Sequence, residues 1–220
     1  MLPLGDDNTL RRTFPTVNYA LIAINVVAFL VELGQPDVQG FITRWGTVPA
    51  EVTSGRHLET LLSGMFLHGG WLHLLGNMLF LWIFGDNVED AFGHVRYLGF
   101  YLVCGIAAGL AQSLLNPSSN LPGVGASGAI SGVLGAYLVM FGSNRVRVLI
   151  GWFFIAVVPA FVMIGVWILI QFINGFASFA TTAQTGGIAY GAHVGGFLAG
   201  LLLVTLLPKR LPPRYRLRSW

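Results

Sequence analysis

The sequence predicts an all-α, polytopic membrane protein, a bundle of six transmembrane helices with a long outer loop between helices 1 and 2. Only 10% of the 220 residues are charged and 55% are hydrophobic, whereas a soluble domain carries about 25% charged residues. The mean hydropathy is correspondingly high, at +0.71. Six apolar runs approach the length of about 17–25 residues that spans a bilayer. They cover residues 17–33, 71–84, 94–115, 127–142, 148–173 and 188–207.

The positions of Lys and Arg predict the orientation of these spans. In a six-span arrangement, every Lys and Arg lies on one side of the membrane except Arg44 and Arg56. Because cytoplasmic loops are enriched in Lys and Arg, we expect both termini in the cytoplasm. The same pattern relates the basic pI of about 9.4 to topology and anionic lipid headgroups rather than to nucleic acid. The first run has no small-residue cleavage site after it, so we expect it to be retained as a span.

The connections between the spans differ in length and polarity. Residues 34–67 form the one long connection, which we expect to pack on or dip into the outer leaflet. Residues 85–93 are expected to be a short cytoplasmic connection, and residues 180–187 a polar outer loop. Pro159 is predicted to kink the fifth span. The sequence thus divides into a short cytoplasmic N-terminal segment, a membrane domain and a basic cytoplasmic tail, at residues 1–15, 16–207 and 208–220.

Ionisable side chains are rare inside lipid and usually functional there, so their distribution excludes several classes of enzyme. No Asp or Glu follows Asp90, which argues against a catalytic pair of carboxylates in the later spans. The sequence has no His-Glu-x-x-His motif, which argues against a zinc protease, and we expect neither a metal nor another cofactor. The Gly-Ala-Ser-Gly-Ala sequence around Ser127 also differs from the Gly-x-Ser-x-Gly elbow of α/β-hydrolases.

Four polar side chains fall near the predicted outer ends of three spans. His73 and Asn77 of the second span are four residues apart and therefore face the same way. Ser127 begins the fourth span, and His193 lies early in the sixth. Since these three spans all start on the outer side, a rise of 1.5 Å per residue puts the four side chains within roughly 10 Å of one depth.

Small residues accompany two of these side chains. Ser131 lies on the same helical face as Ser127, and Gly196 and Gly200 lie on the face of His193. Small residues let two membrane helices approach closely. Such approach would serve plain packing, and it would equally serve a contact between Ser127 and His193.

Each polar residue also has a structural interpretation, because a lone Ser, His or Asn in a membrane helix more often serves packing or interhelical hydrogen bonding. Their common depth favours catalysis instead. His193 would take the proton of the Ser127 hydroxyl, which is a weak nucleophile without a base. The backbone N–H of Ser127 at a helix N-terminus, with the side chains of His73 and Asn77, would stabilise the oxyanion. The set predicts a serine–histidine dyad that transfers an acyl group to water.

Three motifs resemble those of the rhomboid family of intramembrane serine proteases. They are H-G-G-W-L-H-L-L-G-N at residues 68–77, G-A-S-G at 125–128 and A-H-V-G-G-F-L-A-G at 192–200. The resemblance implies that Ser127 is the nucleophile and His193 the general base. It also implies an oxyanion hole built from His73, Asn77 and the Ser127 N–H. His68 matches a family histidine near the water-access cavity, so a water-access or structural role is implied for it.

The same resemblance implies partners and a mode of entry. The expected substrates are single-pass transmembrane proteins, cut near the outer end of their helix and beside small residues, and the expected surroundings are membrane lipids. The fifth helix and outer loops of a six-helix core would gate entry. Some family members have an aromatic residue at the position of Ser131, and its ring stacks on the histidine. At the position of Gly191 a bulky side chain is frequent in the family. How the ring of His193 is held is therefore left open.

Two other functions fit these features less well. An inactive rhomboid-like protein that binds transmembrane clients would be marked by loss of the serine or the histidine, and both are present. A small-solute transporter is expected to have paired discontinuous helices or an intramembrane charge pair, and the sequence indicates neither. The prediction is an intramembrane serine endopeptidase of a prokaryotic plasma membrane, with no nucleic-acid partner and an unassigned oligomeric state.

Overall fold

The fold is described by a computed structural model that covers residues 1–9, 11–151, 153–180 and 189–210. Most of these residues are helical. The helices are α1 Thr16–Leu33, α2 Val38–Trp45, α3 Pro49–Thr53, α4 Thr60–Ser63, a 3₁₀ helix Gly64–Phe66, α5 Trp71–Phe92, α6 His94–Leu115, α7 Ser127–Phe141, α8 Ala160–Ala180 and α9 Tyr190–Leu206. The strands are β1 Leu2–Asp6, β2 Arg145–Ile150 and β3 Phe154–Pro159. The prediction of a mainly helical fold is confirmed.

Length and composition separate these helices into two groups. Within the described residues, α1 and α6 are long and apolar enough to cross a membrane alone. The segment Thr60–Phe66 and α5, bent by 95° to each other, pass the same test as a pair. The apolar stretches of α7, α8 and α9 are shorter, between 10 and 17 residues. Two or three of the six predicted spans therefore meet the length criterion, and the apolar helices indicate an integral membrane protein.

Helix α7 lies at the centre of the helical packing. It contacts α5, α6, α8 and α9, and its residues from Gly128 to Tyr137 are all buried. A helix that is apolar on every side is stable only when its whole circumference is covered. The surrounding helices provide that cover, and they leave the first residue, Ser127, at the edge of the core.

Helix α5 extends further than the sequence predicted. Residues 85–93 were expected to be a connection, but α5 continues to Phe92 and ends at Gly93, whose φ is +80°. The charged residues that interrupt the apolar run remain helical because they are buried against the N-terminal segment. Asp86, for example, accepts a hydrogen bond from the Arg11 guanidinium at 2.5 Å. Pairing with an opposite charge offsets much of the cost of burying a carboxylate.

The same end of α5 supports the start of α1. Pro15 precedes α1 and makes no side-chain cap. The carboxylate of Glu89 accepts hydrogen bonds from the Val17 N–H at 2.9 Å and the Asn18 N–H at 2.7 Å. These are donors that the first turn of a helix leaves unused, and a carboxylate there also interacts favourably with the helix dipole.

A three-stranded antiparallel sheet, in the order β1-β2-β3, corrects the all-α prediction. β1 lies in the N-terminal segment 1–15. β2 begins just before the predicted span 148–173 and runs into it, and β3 lies within that span. Helix α8 starts only at Ala160, and Pro159 ends β3 instead of kinking a helix. The paired ends of the two ladders are Leu2 with Leu149, Asp6 with Val146, Arg145 with Pro159, and Ile150 with Phe154.

The side-chain alternation in β2 explains why it is a strand. Val146 and Val148 are fully buried, while Arg145 and Arg147, which alternate with them, are exposed. A period of two residues is the signature of a strand with one buried face. Gly151, with φ +62°, lies in the turn that leads from β2 to β3. The sequence prediction did not use this alternation, because β2 leads into the long apolar run that was predicted as the fifth span.

The long connection 34–67 contains α2, α3, α4 and the 3₁₀ helix. It is bound to the segment before α7, because Thr47 and Gly123 exchange two backbone hydrogen bonds at 2.9 and 2.8 Å. The Gly125 N–H also donates to the Gly64 carbonyl at 2.9 Å. The connection thereby fixes the chain just before Ser127. The predicted loop 180–187, after its first residue, and most of the predicted tail lie outside the described residues.

Candidate active site

Ser127 and His193 meet at the same end of α7 and α9. The Ser127 Oγ lies 2.8 Å from the His193 Nε2, which is hydrogen-bonding distance. Ser127 is the first residue of α7, and His193 lies in the first turn of α9. A hydroxyl in contact with an imidazole nitrogen is the arrangement in which a serine can lose its proton to a base.

Glycines allow α7 and α9 to approach closely enough for this contact. A Cβ on Gly200 would lie 2.1 Å from the Gly132 carbonyl oxygen, and one on Gly135 would lie 2.7 Å from the Phe197 carbonyl oxygen. Any larger residue at Gly200 would force the two backbones apart. The spacing of these glycines therefore sets the distance between the helices that carry Ser127 and His193.

The second ring nitrogen of His193 contacts α8. Its Nδ1 lies 2.8 Å from the Gln171 Oε1, and the Trp167 ring lies against the imidazole with 5.7 Å between centroids. The sequence reasoning missed both residues. A usable signal was present, because Gln171 is one of the few polar side chains in a largely apolar helix, where polar side chains are uncommon and tend to have partners.

The two positions that differ from the family pattern are accounted for locally. The Ser131 hydroxyl donates to the Ser127 carbonyl oxygen at 2.6 Å, so it is used within α7. A Cβ on Gly191 would lie 2.6 Å from the Gln112 Oε1 of α6. That oxygen accepts a hydrogen bond from the Ala192 N–H at 3.2 Å. Gly191 thus lets the start of α9 lie against α6.

His73 and Asn77 lie together on α5, beside the chain that leads into Ser127. A Cβ on Gly125 would lie 2.7 Å from the His73 Nε2 and 3.5 Å from the Asn77 Nδ2. The Asn77 Nδ2 is buried and has no hydrogen-bond partner among the described residues. The Ser127 N–H, as the first of α7, is among the donors that a helix does not use internally. Three candidate donors are therefore grouped near Ser127.

His68 precedes α5 in the chain, and its ring is a neighbour of the His73 ring. It is fully buried, and its ring centroid lies 5.1 Å from that of His73. Its backbone N–H donates to the Glu32 carboxylate of α1 at 3.0 Å. Glu32, which the sequence reasoning did not single out, is 1% exposed and ties the segment before α5 to α1. The role of His68 stays a prediction.

A small cavity of about 50 Å³ opens next to Ser127. Its walls come from the long connection 34–67, from α6, from residues 123–125 and the first turn of α7, and from the start of α9. Most of the lining is small or apolar, and Gln112 and Thr47 are polar members of it. The cavity has room for a small side chain beside the Ser127 hydroxyl.

Comparison with known proteins agrees with these features. The Rhomboid domain model matches residues 55–210. RHOMBOID-like protein 5 of Arabidopsis thaliana is 34% identical over 168 residues, which are 72% of this chain and 50% of that protein. Rhomboid protease GluP of Bacillus subtilis is 31% identical over 196 residues, which are 88% of this chain and 35% of that protein. Rhomboid protein 1, mitochondrial, of Saccharomyces cerevisiae is 28% identical over 189 residues, or 84% and 51% of the two chains.

The extent of these matches fixes what they establish. The chain spans about half the length, or less, of these three relatives. The matched domain nevertheless covers α5 to α9 and so includes the whole group of polar residues around Ser127. The relatives come from a bacterium, a yeast and a plant and share the rhomboid name. This chain belongs to the rhomboid family.

Proposed function

We propose that this chain is an intramembrane serine endopeptidase that works through the dyad of Ser127 and His193. One observation carries the proposal, the 2.8 Å contact between the Ser127 Oγ and the His193 Nε2. An inactive client-binding protein needs no such contact. The polar side chains around Ser127 also lie where α5, α7, α8 and α9 meet, so a bound peptide would be shielded from bulk water. The exclusion of water strengthens electrostatic effects on the reaction.

The proposed reaction proceeds in two acyl-transfer steps. The His193 Nε2 takes the Ser127 proton as Oγ bonds to the scissile carbonyl carbon, which gives a tetrahedral oxyanion. The imidazolium then protonates the leaving amine nitrogen as the C–N bond breaks, and an acyl-enzyme remains. In the second step, water loses a proton to Nε2 as its oxygen bonds to the ester carbonyl carbon, which gives a second tetrahedral oxyanion. The imidazolium then gives its proton to Oγ as the C–Oγ bond breaks, so the carboxyl product leaves and Ser127 and neutral His193 are restored.

The oxyanion is proposed to be held by the donors grouped near Ser127. The Asn77 Nδ2 is the best supported of them, because it is buried without a partner among the described residues. A donor that is left unused in the resting protein is free to bind the charge that develops in the transition state. One such donor is commonly worth about 3–4 kcal/mol. His73 and the Ser127 N–H would complete the set.

The proposed architecture is a six-span bundle of α1, α5, α6, α7, α8 and α9. Helix α7 has 15 residues, or about 22 Å of rise, which is short for a span. Its surroundings are protein rather than lipid, so neighbouring helices can cover the shortfall. The Lys and Arg pattern supports cytoplasmic termini and a site that opens to the outer side of a prokaryotic plasma membrane.

The proposed substrates are single-pass transmembrane proteins, cut beside small residues near the outer end of their helix. The cavity of about 50 Å³ next to Ser127 supports a preference for small side chains. Membrane lipids are the proposed surroundings, and neither a cofactor nor nucleic acid is required by the reaction.

The decisive experiment incubates purified protein in proteoliposomes with a single-pass transmembrane substrate. Ser127→Ala and His193→Ala are expected to abolish cleavage. The matched controls are Ser118→Ala and His57→Ala, which remove an exposed serine and an exposed histidine and should cleave as the wild type does. Full cleavage by the Ser127 variant would exclude the mechanism. A wild type that co-purifies with the substrate and leaves it intact would instead favour the client-binding function.

A further inference from the structure

Gln171 is the side chain that reaches His193 from the helix opposite Ser127. It projects from α8, with its Oε1 2.8 Å from the His193 Nδ1, and Ser127 lies at the same distance from the other ring nitrogen. Trp167, one turn earlier on α8, has its ring centroid 5.7 Å from that of the imidazole, with the two planes tilted by 41°. The imidazole is thus contacted at both nitrogens and by a neighbouring aromatic ring.

The chemistry of an amide oxygen determines which nitrogen carries the proton. A neutral imidazole has one donor and one acceptor nitrogen, and the partner of one nitrogen fixes the role of the other. The Gln171 Oε1 can only accept, so Nδ1 donates to it. Nε2 is then unprotonated and can accept the Ser127 proton.

We propose that Gln171 is a positioning residue that fixes the Nδ1–H tautomer and the orientation of His193. The inference rests on the proposed dyad and extends it from two residues to three. Gln171 acts through His193, and its proposed role involves no contact with the reacting atoms. A neutral amide replaces the carboxylate that orients the histidine of many serine hydrolases, in a chain with no Asp or Glu after Asp90.

The groups around His193 make this assignment testable by pH. On α7 and α8 its partners Ser127 and Gln171 are neutral, and on α6 the amide of Gln112 lies near the start of α9. Within the part of the chain that the structure describes, His73 of α5 is the ionisable neighbour of His193. Replacing Gln171 by Glu would therefore add a charge at the Nδ1 side, where the described neighbours supply none.

The test measures how fast a fluorophosphonate labels Ser127 in proteoliposomes between pH 5 and 9. The variants are Gln171→Leu, Gln171→Glu and the matched control Asn174→Leu, which removes an exposed amide from the same helix. We expect Gln171→Leu to label about tenfold or more slowly and the control to label at the wild-type rate. Gln171→Glu should recover part of the rate, and its half-maximal pH should rise by about one unit, because a carboxylate stabilises the imidazolium.

A second measurement reads the tautomer without catalysis. The ¹⁵N spectrum of histidine-labelled protein, assigned with His193→Ala, should show protonated Nδ1 in the wild type and a mixture of tautomers in Gln171→Leu. Equal labelling by Gln171→Leu and wild type, or equal loss in both Gln171 variants with unchanged ¹⁵N shifts, would overturn the inference. A wild type that is never labelled would refute the proposed function, and the ¹⁵N spectra would still decide the role of Gln171.

Discussion

Gly196 of α9 lies against Gly128 of α7, so close that a Cβ on Gly196 would come within 2.0 Å of the Gly128 carbonyl oxygen. Gly128 directly follows Ser127, and Gly196 lies one turn after His193. The contact therefore determines how far apart the two members of the proposed dyad can be. The packing of α7 against α9 and the geometry of the proposed dyad therefore depend on the same pair of glycines.

Gly196→Ala is expected to separate α7 from α9 and to disable the dyad. The added methyl group meets backbone, which cannot rotate away as a side chain can. Overpacking of this kind costs about 1–3 kcal/mol in stability, and a displacement of about 1 Å at a reacting group can cost about a hundredfold in rate. Thermal unfolding and substrate cleavage in proteoliposomes measure the two effects.

The control for this prediction is Gly99→Ala on α6, where an added Cβ meets no atom within 4 Å. Since Ala favours a helix over Gly, this variant should keep its activity and be at least as stable as the wild type. An active, stable Gly196→Ala protein would show that the approach of α7 and α9 does not control the dyad.

Gly125→Ala is expected to impair the oxyanion side of the site. Gly125 has φ +121°, a conformation that side chains with a Cβ rarely adopt, and its Cβ would press on the His73 ring. The backbone strain costs about 1–3 kcal/mol, and displacement of His73 should lower kcat beyond the loss of folded protein. Gly55→Ala separates the two causes, because Gly55 also has a positive φ, +74°, and open space around it. Gly55→Ala should lose stability alone, and equal kcat in both variants would contradict the assignment of His73.

The sequence could predict the residues of the site whose signal is local. Ser127 begins α7 and His193 lies in the first turn of α9. Both spans are predicted to start on the outer side, so counting residues from that side places the two at a similar depth. Gln171 and Trp167 could not be found in this way, because their contact with His193 depends on the rotation of α8 about its own axis. Hydropathy alone does not specify that rotation, since α8 is apolar around most of its surface.

The fold shows a similar limit. The extents of α1, α6 and α9 follow from the length of each apolar run, and their predicted ends agree with the structure within about two residues. The alternation of β2 was missed because its end was included in a long apolar run, and β3 was missed because the run Phe154–Pro159 is apolar throughout and reads equally well as part of a span. The last turns of α5 were missed because a cluster of acidic residues after an apolar run is typical of a loop. These carboxylates are helical here because Arg11 and the first turn of α1 bind them.

Asn77 and Asn18 are buried asparagines of α5 and α1 with opposite expected behaviour. The Asn77 Nδ2 has no partner among the described residues. Asn18 donates to the Leu81 carbonyl at 2.9 Å and accepts from the Tyr97 hydroxyl at 2.7 Å. Asn77→Leu should therefore lower kcat by about 10²–10³-fold with an unchanged or higher Tm, because an unpaired buried donor is destabilising.

Asn18→Leu is the matched control, and it should lower Tm while leaving kcat per folded molecule unchanged. It leaves the Leu81 carbonyl and the Tyr97 hydroxyl buried without their hydrogen-bond partner, and each such loss costs about 1–3 kcal/mol in stability. Cleavage assays with parallel thermal unfolding give both quantities. If Asn77→Leu instead loses stability and keeps its full kcat, Asn77 is an interhelical contact and no part of an oxyanion hole.

Asp6 of β1 is expected to make the stability of the protein depend on pH. Burial raises the pKa of Asp6 from 3.8 to about 7, although a hydrogen bond from the Tyr137 hydroxyl of α7 opposes the shift. The folded protein thus holds the Asp6 proton more tightly than the unfolded chain does. Its contribution is fully present below about pH 4 and is lost as the pH rises through about 7, at up to about 1.4 kcal/mol per pH unit.

Asp6→Asn removes this titration, so its Tm should change less than that of the wild type between pH 5 and pH 8. The difference between the two proteins isolates Asp6 from other groups that titrate in the same range. Asp37→Asn is the control, because Asp37 is exposed and Asn also caps a helix such as α2 well. This control should follow the wild-type curve. Parallel curves for Asp6→Asn and wild type would mean that Asp6 is ionised in the folded protein and that β1 is held to α7 by a charged hydrogen bond.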